Sequence, residues 1–127
     1  MAVEQMAVDY AAAWTSRNPD AIAAFFAEDG VITINGGEPI EGRAAVSDMA
    51  TAFYEAFPDL VVSLDHLRIA GGHAMFGWML AGTHSETGNT VRVPGWAEWD
   101  LNADLKIACS RGWFDAAEYD RQIAEGI

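Results

Sequence analysis

The stretch Phe57-Pro58-Asp59-Leu60-Val61-Val62-Ser63-Leu64-Asp65-His66-Leu67-Arg68-Ile69 marks a change in the pattern of the chain. Before it, apolar residues recur at spacings of three and four; after it, they alternate. Pro58 stops the preceding helix, because proline disfavours helical backbone at the residue before it. Val61 to Ile69 reads as a strand, Gly71-Gly72 as a turn, and His73 to His84 as a second long strand. Ser85 to Asn89 turns the chain into a third strand, Thr90 to Leu101. Asn102-Ala103-Asp104 leads into a fourth, Leu105 to Phe114. Asp115-Ala116-Ala117-Glu118 has the spacing of a capping box and opens a C-terminal helix.

Upstream, Val3, Met6, Ala7, Tyr10, Ala13 and Trp14 form one stripe of a first helix. Asn18-Pro19-Asp20 starts a second, with Asn18 as N-cap and Pro19 at the first helical position. This short helix carries Ile22, Phe25 and Phe26 and is expected to end at Glu28-Asp29-Gly30. Val31 to Ile34 reads as a short strand closed by Asn35-Gly36-Gly37. A third helix follows Glu41-Gly42-Arg43 and buries Val46, Met49, Phe53, Tyr54 and Phe57. Three helices followed by four long strands predict an α+β fold, with a strongly curved antiparallel sheet packed on the N-terminal helices.

The chain has 127 residues, of which 51% are hydrophobic, enough for one packed domain over residues 1–127. Seven basic residues against 19 acidic ones leave a net charge of −12, which argues against nucleic acid and anionic membranes as partners. Cys109 stands alone, so no internal disulfide can form. Neither a secretory leader nor a membrane-length apolar run is read, so a cytoplasmic location is expected. Three scattered histidines and one cysteine predict no metal site. Asp65 and His66, as strand neighbours, are expected on opposite faces. No phosphate-cradling glycine loop is present, and no cofactor is expected.

Several short stretches occur in a telling order: Tyr10 to Trp14 with Asn18-Pro19-Asp20, Ile40-Glu41-Gly42-Arg43, Phe57-Pro58-Asp59-Leu60, Gly82-Thr83-His84, Val91-Arg92-Val93-Pro94-Gly95, Lys106-Ile107 and Trp113-Phe114-Asp115. Together they resemble the SnoaL-like polyketide cyclases, within the nuclear-transport-factor-2-like superfamily of cystatin-like cones. The resemblance implies a single apolar pocket between the helices and the concave face of the sheet. If Phe76 points inward, strand parity directs Trp78, Leu80, Gly82 and His84 inward too; the resemblance to the isomerase relatives implies the same for Ala97 and Trp99 on the next strand and for Ser110, Gly112 and Phe114 on the last. Tyr10 and Trp14 would close one wall, and Met49 and Phe53 another.

As the resemblance implies, such cyclases use a carboxylic acid on the last strand to move a proton. In related epoxide hydrolases an aspartate stands three residues before the terminal aspartate of a Trp-Arg-Asp-Tyr-Phe-Asp motif. Here Ser110-Arg111-Gly112-Trp113-Phe114-Asp115 places Gly112 at that position. The ketosteroid isomerase acid maps to Ala97, and its base maps near Thr33 to Asn35, where there is no carboxylate; Tyr10 matches the region of its oxyanion tyrosine.

Candidate groups for proton transfer are then His84, Tyr10 and Asp115. Each has a plainer account: a strand-end histidine, a core tyrosine and a helix N-cap. Asn35 is a candidate ligand contact or a turn residue. Two functions stay open: a cyclase or isomerase acting on a small apolar carbonyl compound, and a non-catalytic module that binds one. Trp96, Glu98, Arg111 and Trp113 share the outward parity, which predicts a homodimer through that sheet face, unless the C-terminal helix covers it.

Overall fold

The structure, a computed structural model, describes residues 2–127; Met1 lies outside the described residues. Helix α1 (Ala2–Thr15) forms on the expected stripe and buries Ala7, Tyr10, Ala11, Ala13 and Trp14. Asn18 caps α2 (Pro19–Ala23), its side chain accepting hydrogen bonds from the backbone N–H groups of Asp20 and Ala21.

Helix α2 stops sooner than its apolar pattern predicts. Phe25 lies in the link, and Phe26 is the first residue of β1 (Phe26–Ile34). Strand β1 runs parallel to β6 (Ile107–Phe114), and the pairing steps from Phe26↔Ile107 to Val31↔Cys109. Glu28-Asp29-Gly30 is therefore an irregularity inside a strand rather than the end of a helix. A Cβ on Gly30 would lie 2.7 Å from the Ile107 carbonyl oxygen, so only glycine lets the two strands approach there. Pairing across the sheet outweighs the local turn chemistry.

The short strand β2 (Ile40–Glu41) pairs antiparallel with β1, and α3 (Arg43–Ala56) follows it, ending at Phe57. Strands β3 (Val61–Ala70), β4 (His73–Thr83) and β5 (Thr90–Leu101) then form an antiparallel meander with β6. The six-stranded sheet has the order β2-β1-β6-β5-β4-β3, with β1–β6 as its parallel pair. Strand β6 begins at Ile107, not Leu105, because Leu105 has φ +58° in a turn held by the Asn102 side chain. Register shifts at Leu64/His66 and Asp100/Leu101 bend the long strands. The first also corrects the expectation for Asp65 and His66. It brings their side chains to 3.3 Å, where strict alternation would separate them.

Specific bonds pin the helices to the sheet and to one another. The Thr15 hydroxyl accepts from the Val62 N–H and donates to the Val62 carbonyl, each at 3.1 Å, which ties α1 to β3. The Tyr54 hydroxyl of α3 donates to the Trp14 carbonyl at 2.7 Å. Helix α4 (Ala116–Glu125) is capped by Asp115, which accepts from the Glu118 N–H. Its Gln122 is only 5% exposed; Oε1 accepts from the Arg92 N–H at 2.6 Å, and Nε2 donates to Glu118 at 2.8 Å. No described helix is long and apolar enough to cross a membrane.

Gln122→Ala would leave the Arg92 N–H without its partner and loosen α4 from β5. Urea unfolding of this variant is expected to show a loss of about 1–2 kcal/mol; a change under roughly 0.3 kcal/mol would mean that α4 is held by its apolar contacts alone.

Candidate functional site

The register of the sheet builds a hollow. On its inner face β6 presents Ser110, Gly112 and Phe114, which pair with Trp99, Ala97 and Gly95 of β5. Strand β4 continues the row with Phe76 opposite Ala97 and Trp78 opposite Gly95, and Ile34 of β1 lies opposite Gly112. The middle of this floor, Ala97 and Gly112, carries almost no side-chain volume. The Trp78 indole lies across Gly95 so closely that a Cβ there would collide with the ring.

Tyr10 and Trp14 of α1, Met49 and Phe53 of α3 and Tyr119 of α4 roof the floor without filling it, leaving a cavity of about 90 Å³. Seven of its sixteen lining residues are aromatic. Among the described residues that line it, none is Asp, Glu, His, Lys, Arg or Cys.

The expected site residues divide accordingly. Trp14, Met49, Phe53, Phe76, Trp78, Leu80, Ser110 and Phe114 line the cavity, as does Tyr10. The Tyr10 ring is edge-on to Phe25, Phe76 and Trp99, and burial raises its phenol well above the ordinary range, so it stays protonated. Trp99 lies beneath the lining instead, fully buried and stacked on Phe76 with centroids 4.8 Å apart. Asn35 is also elsewhere: with φ +52°, its side chain accepts from the Phe114 N–H at 2.9 Å and holds the end of β6 in place.

His84 and Asp115 do not join Tyr10. The His84 ring packs edge-on against Phe57, outside the lining, and its Nδ1 accepts from the Thr87 N–H at 3.4 Å. Asp115 is occupied as the α4 cap.

Pattern reading passed over Ile32, Ile34, Val62, Val93 and Tyr119, all of which line the cavity. For Tyr119 a signal existed. Phe114 precedes the N-cap Asp115, and Tyr119 is the fourth residue of the helix, the spacing of a hydrophobic staple; their rings lie 5.2 Å apart.

The outer face has a different character. Trp96 and Trp113 are cross-strand partners with stacked rings 5.8 Å apart, and Trp96 is 43% exposed. Arg111 reaches Asp100 at 3.2 Å and Glu98 at 3.9 Å, and His73 contacts Asp100 at 2.7 Å. The hydrogen bond from Arg111 holds the Asp100 carboxyl below its usual range, with His73 adding to the effect. Helix α4 lies on the other side, where Tyr119 packs on Phe57 and Phe114, and does not cover these tryptophans.

Comparison with known proteins bears on this arrangement. The SnoaL-like domain profile matches residues 7–109. The chain belongs to the SnoaL-like domain family. That match runs from α1 into β6 and stops short of Gly112. No curated protein matches the chain.

Solved structures share its fold. One is a protein with a ketosteroid isomerase-like fold from Catenulispora acidiphila, determined in complex with trimethylamine. It is 21% identical, with a TM-score of 0.87 over 94% of this chain and 92% of that one. A protein named as a polyketide cyclase from Xanthomonas campestris is 22% identical, with a TM-score of 0.85 over 94% of this chain and 95% of that one. A protein named as a SnoaL-like polyketide cyclase from Jannaschia is 16% identical, with a TM-score of 0.80 over 97% of this chain and 94% of that one.

At Gly112 this SnoaL-like chain has room for a side chain, since an added Cβ would meet Trp96, Ala97 and Thr33 atoms only at 3.6–3.9 Å. Gly112→Asp is expected to fold and to place a carboxyl in apolar surroundings, with its pKa raised above the ordinary 3.9 or so. A raised folded-state pKa favours the fold below the unfolded value and disfavours it as pH climbs through the folded value. Relative to the parent protein, the variant should therefore lose about 1–3 kcal/mol between pH 4 and pH 7. Thermal melts across that range would show it; an equal penalty at both pH values would mean that the carboxyl escapes the cavity.

Proposed function

We propose that this SnoaL-like domain binds a small, flat, apolar carbonyl compound in the cone cavity and does not itself transfer a proton. One observation carries the reading: among the described residues that line the cavity, none has a carboxyl or imidazole group. A base must lie within hydrogen-bond reach of the proton that it takes. Tyr10, the one family-like polar group at the wall, is held protonated by burial, so at neutral pH it can donate a hydrogen bond but does not act as a base.

The aromatic walls favour a planar or compact apolar ligand, because contacts to ring faces and edges reward shape more than charge. A charged ligand would lie among these walls with no counter-ion. The cyclase-like relatives supply the carbonyl class, and the cavity's lack of a catalytic group directs the reading toward binding.

Acetophenone in deuterated buffer separates the two readings. It is expected to bind with a Kd on the order of 0.1–1 mM, read from chemical-shift changes, while its methyl protons exchange no faster than in buffer alone. An acceleration on the order of a hundredfold that His84→Ala removes would restore the enzyme.

We also propose that a second copy of this chain covers the outer face. Trp96 and Trp113 offer a stacked apolar centre, and Glu98, Asp100 and Arg111 offer charges of both signs beside it, so the patch can complement itself across a two-fold axis. Sedimentation should find a dimer, and a monomer for Trp113→Glu; the same oligomeric state in both proteins would overturn this interface.

A further inference from the structure

Ser110 is the polar residue at the floor of the cavity. It is 1% exposed, it lines the hollow, and its hydroxyl has no hydrogen-bond partner. A buried hydroxyl left unpaired lowers stability, and such groups are uncommon in folded proteins. The other buried side-chain polar atom without a partner among the described residues is Nε1 of Trp99, and Trp99 is the cross-strand partner of Ser110. Of the two, Ser110 lines the cavity and Trp99 lies beneath it. Beside them Ala97 and Gly112 leave the sheet surface bare, while Phe76 and Ile34 flank that bare strip from the neighbouring strands. The opposite end is aromatic, with Phe114, Trp78 and Tyr119.

Resting on the binding role proposed above, we propose that Ser110 is the specificity-determining residue of the cavity. It donates a hydrogen bond to a ligand's carbonyl oxygen while the ligand's flat body lies over Ala97 and Gly112. The strip between Phe76 and Ile34 sets the plane of the body, and the hydroxyl sets which end enters first. Charge has no part in the recognition, because none of the described lining residues carries any. The ligand supplies the hydrogen-bond partner that the fold withholds from this hydroxyl. A site built to bond an oxygen discriminates against an analogue lacking it, because the buried polar group then stays unpaired.

Acetophenone and α-methylstyrene test this, since they share a shape and differ in carrying C=O or C=CH2. Both are titrated by NMR into the parent protein, Ser110→Ala and Ser110→Thr. Ser110→Ala should weaken acetophenone about tenfold, leave α-methylstyrene within roughly twofold, and raise the Tm of the free protein by about 3 °C through loss of an unsatisfied group. Ser110→Thr, which keeps the hydroxyl, should retain at least part of the preference for the ketone. Equal responses of both compounds to Ser110→Ala would overturn the role of Ser110 and leave the binding role standing, as would a lowered Tm with no change in selectivity. Failure of acetophenone to bind the parent protein would overturn the binding role and this inference with it.

Discussion

A shortage of side-chain volume at the centre of a sheet governs this molecule. Where β5 and β6 run side by side, Gly95, Ala97 and Gly112 face the helices, and around them stand some of the largest side chains in the chain. Close packing would require the rings to drop onto the bare strands. They cannot, because each is already held elsewhere: Tyr10 between Phe25, Phe76 and Trp99, Trp14 against Phe53 and Tyr54, and Tyr119 against Phe57 and Phe114. Edge-to-face pairs of this kind contribute about 0.5–1.5 kcal/mol each beyond the area that they bury. The rings support one another as an arch, and the hollow persists beneath it.

The polar groups follow the same division. Side chains with reactive chemistry are present but engaged around the rim. His84 sits on Phe57, Asp115 caps α4, and Asn35 closes β1 onto β6. Among the described residues lining the hollow, the hydroxyl-bearing ones are Tyr10, Ser110 and Tyr119, all uncharged. Such a lining suits contact with a neutral body that carries a small polar feature, and among the described residues it includes no carboxylate or imidazole.

Much of this was legible in the chain itself, and the failures have physical causes. The change of period at Pro58 gives the long strands, and inward parity on β4 and β6 places Phe76, Trp78, Leu80, Ser110 and Phe114 on the inner face. Parity cannot say how deep a side chain lies, and so Trp99 is inward but sealed beneath Phe76. Phe26 and Glu28-Asp29-Gly30 misled because local propensity predicts a helix and its stop, while the partner that makes them a strand is Ile107, far along the chain. Asn35 carries turn chemistry and ligand chemistry in the same amide; only the nearby Phe114 N–H decides between them. The contribution of Tyr119 was readable, but through a capping pattern rather than through apolar periodicity.

The parallel pairing of β1 with β6 also bears on how the molecule comes to exist. Residues 26–34 find their neighbours at 107–114, so the first strand made by a ribosome has no lateral partner on that side until almost all the chain has emerged. In the interval Val31, Ile32 and Ile34 present an open edge with only the two residues of β2 beside it. The same late closure completes the floor under the aromatic arch. Until then the interior of the nascent domain stays open to water, and it is at that stage that folding machinery has most reason to hold it.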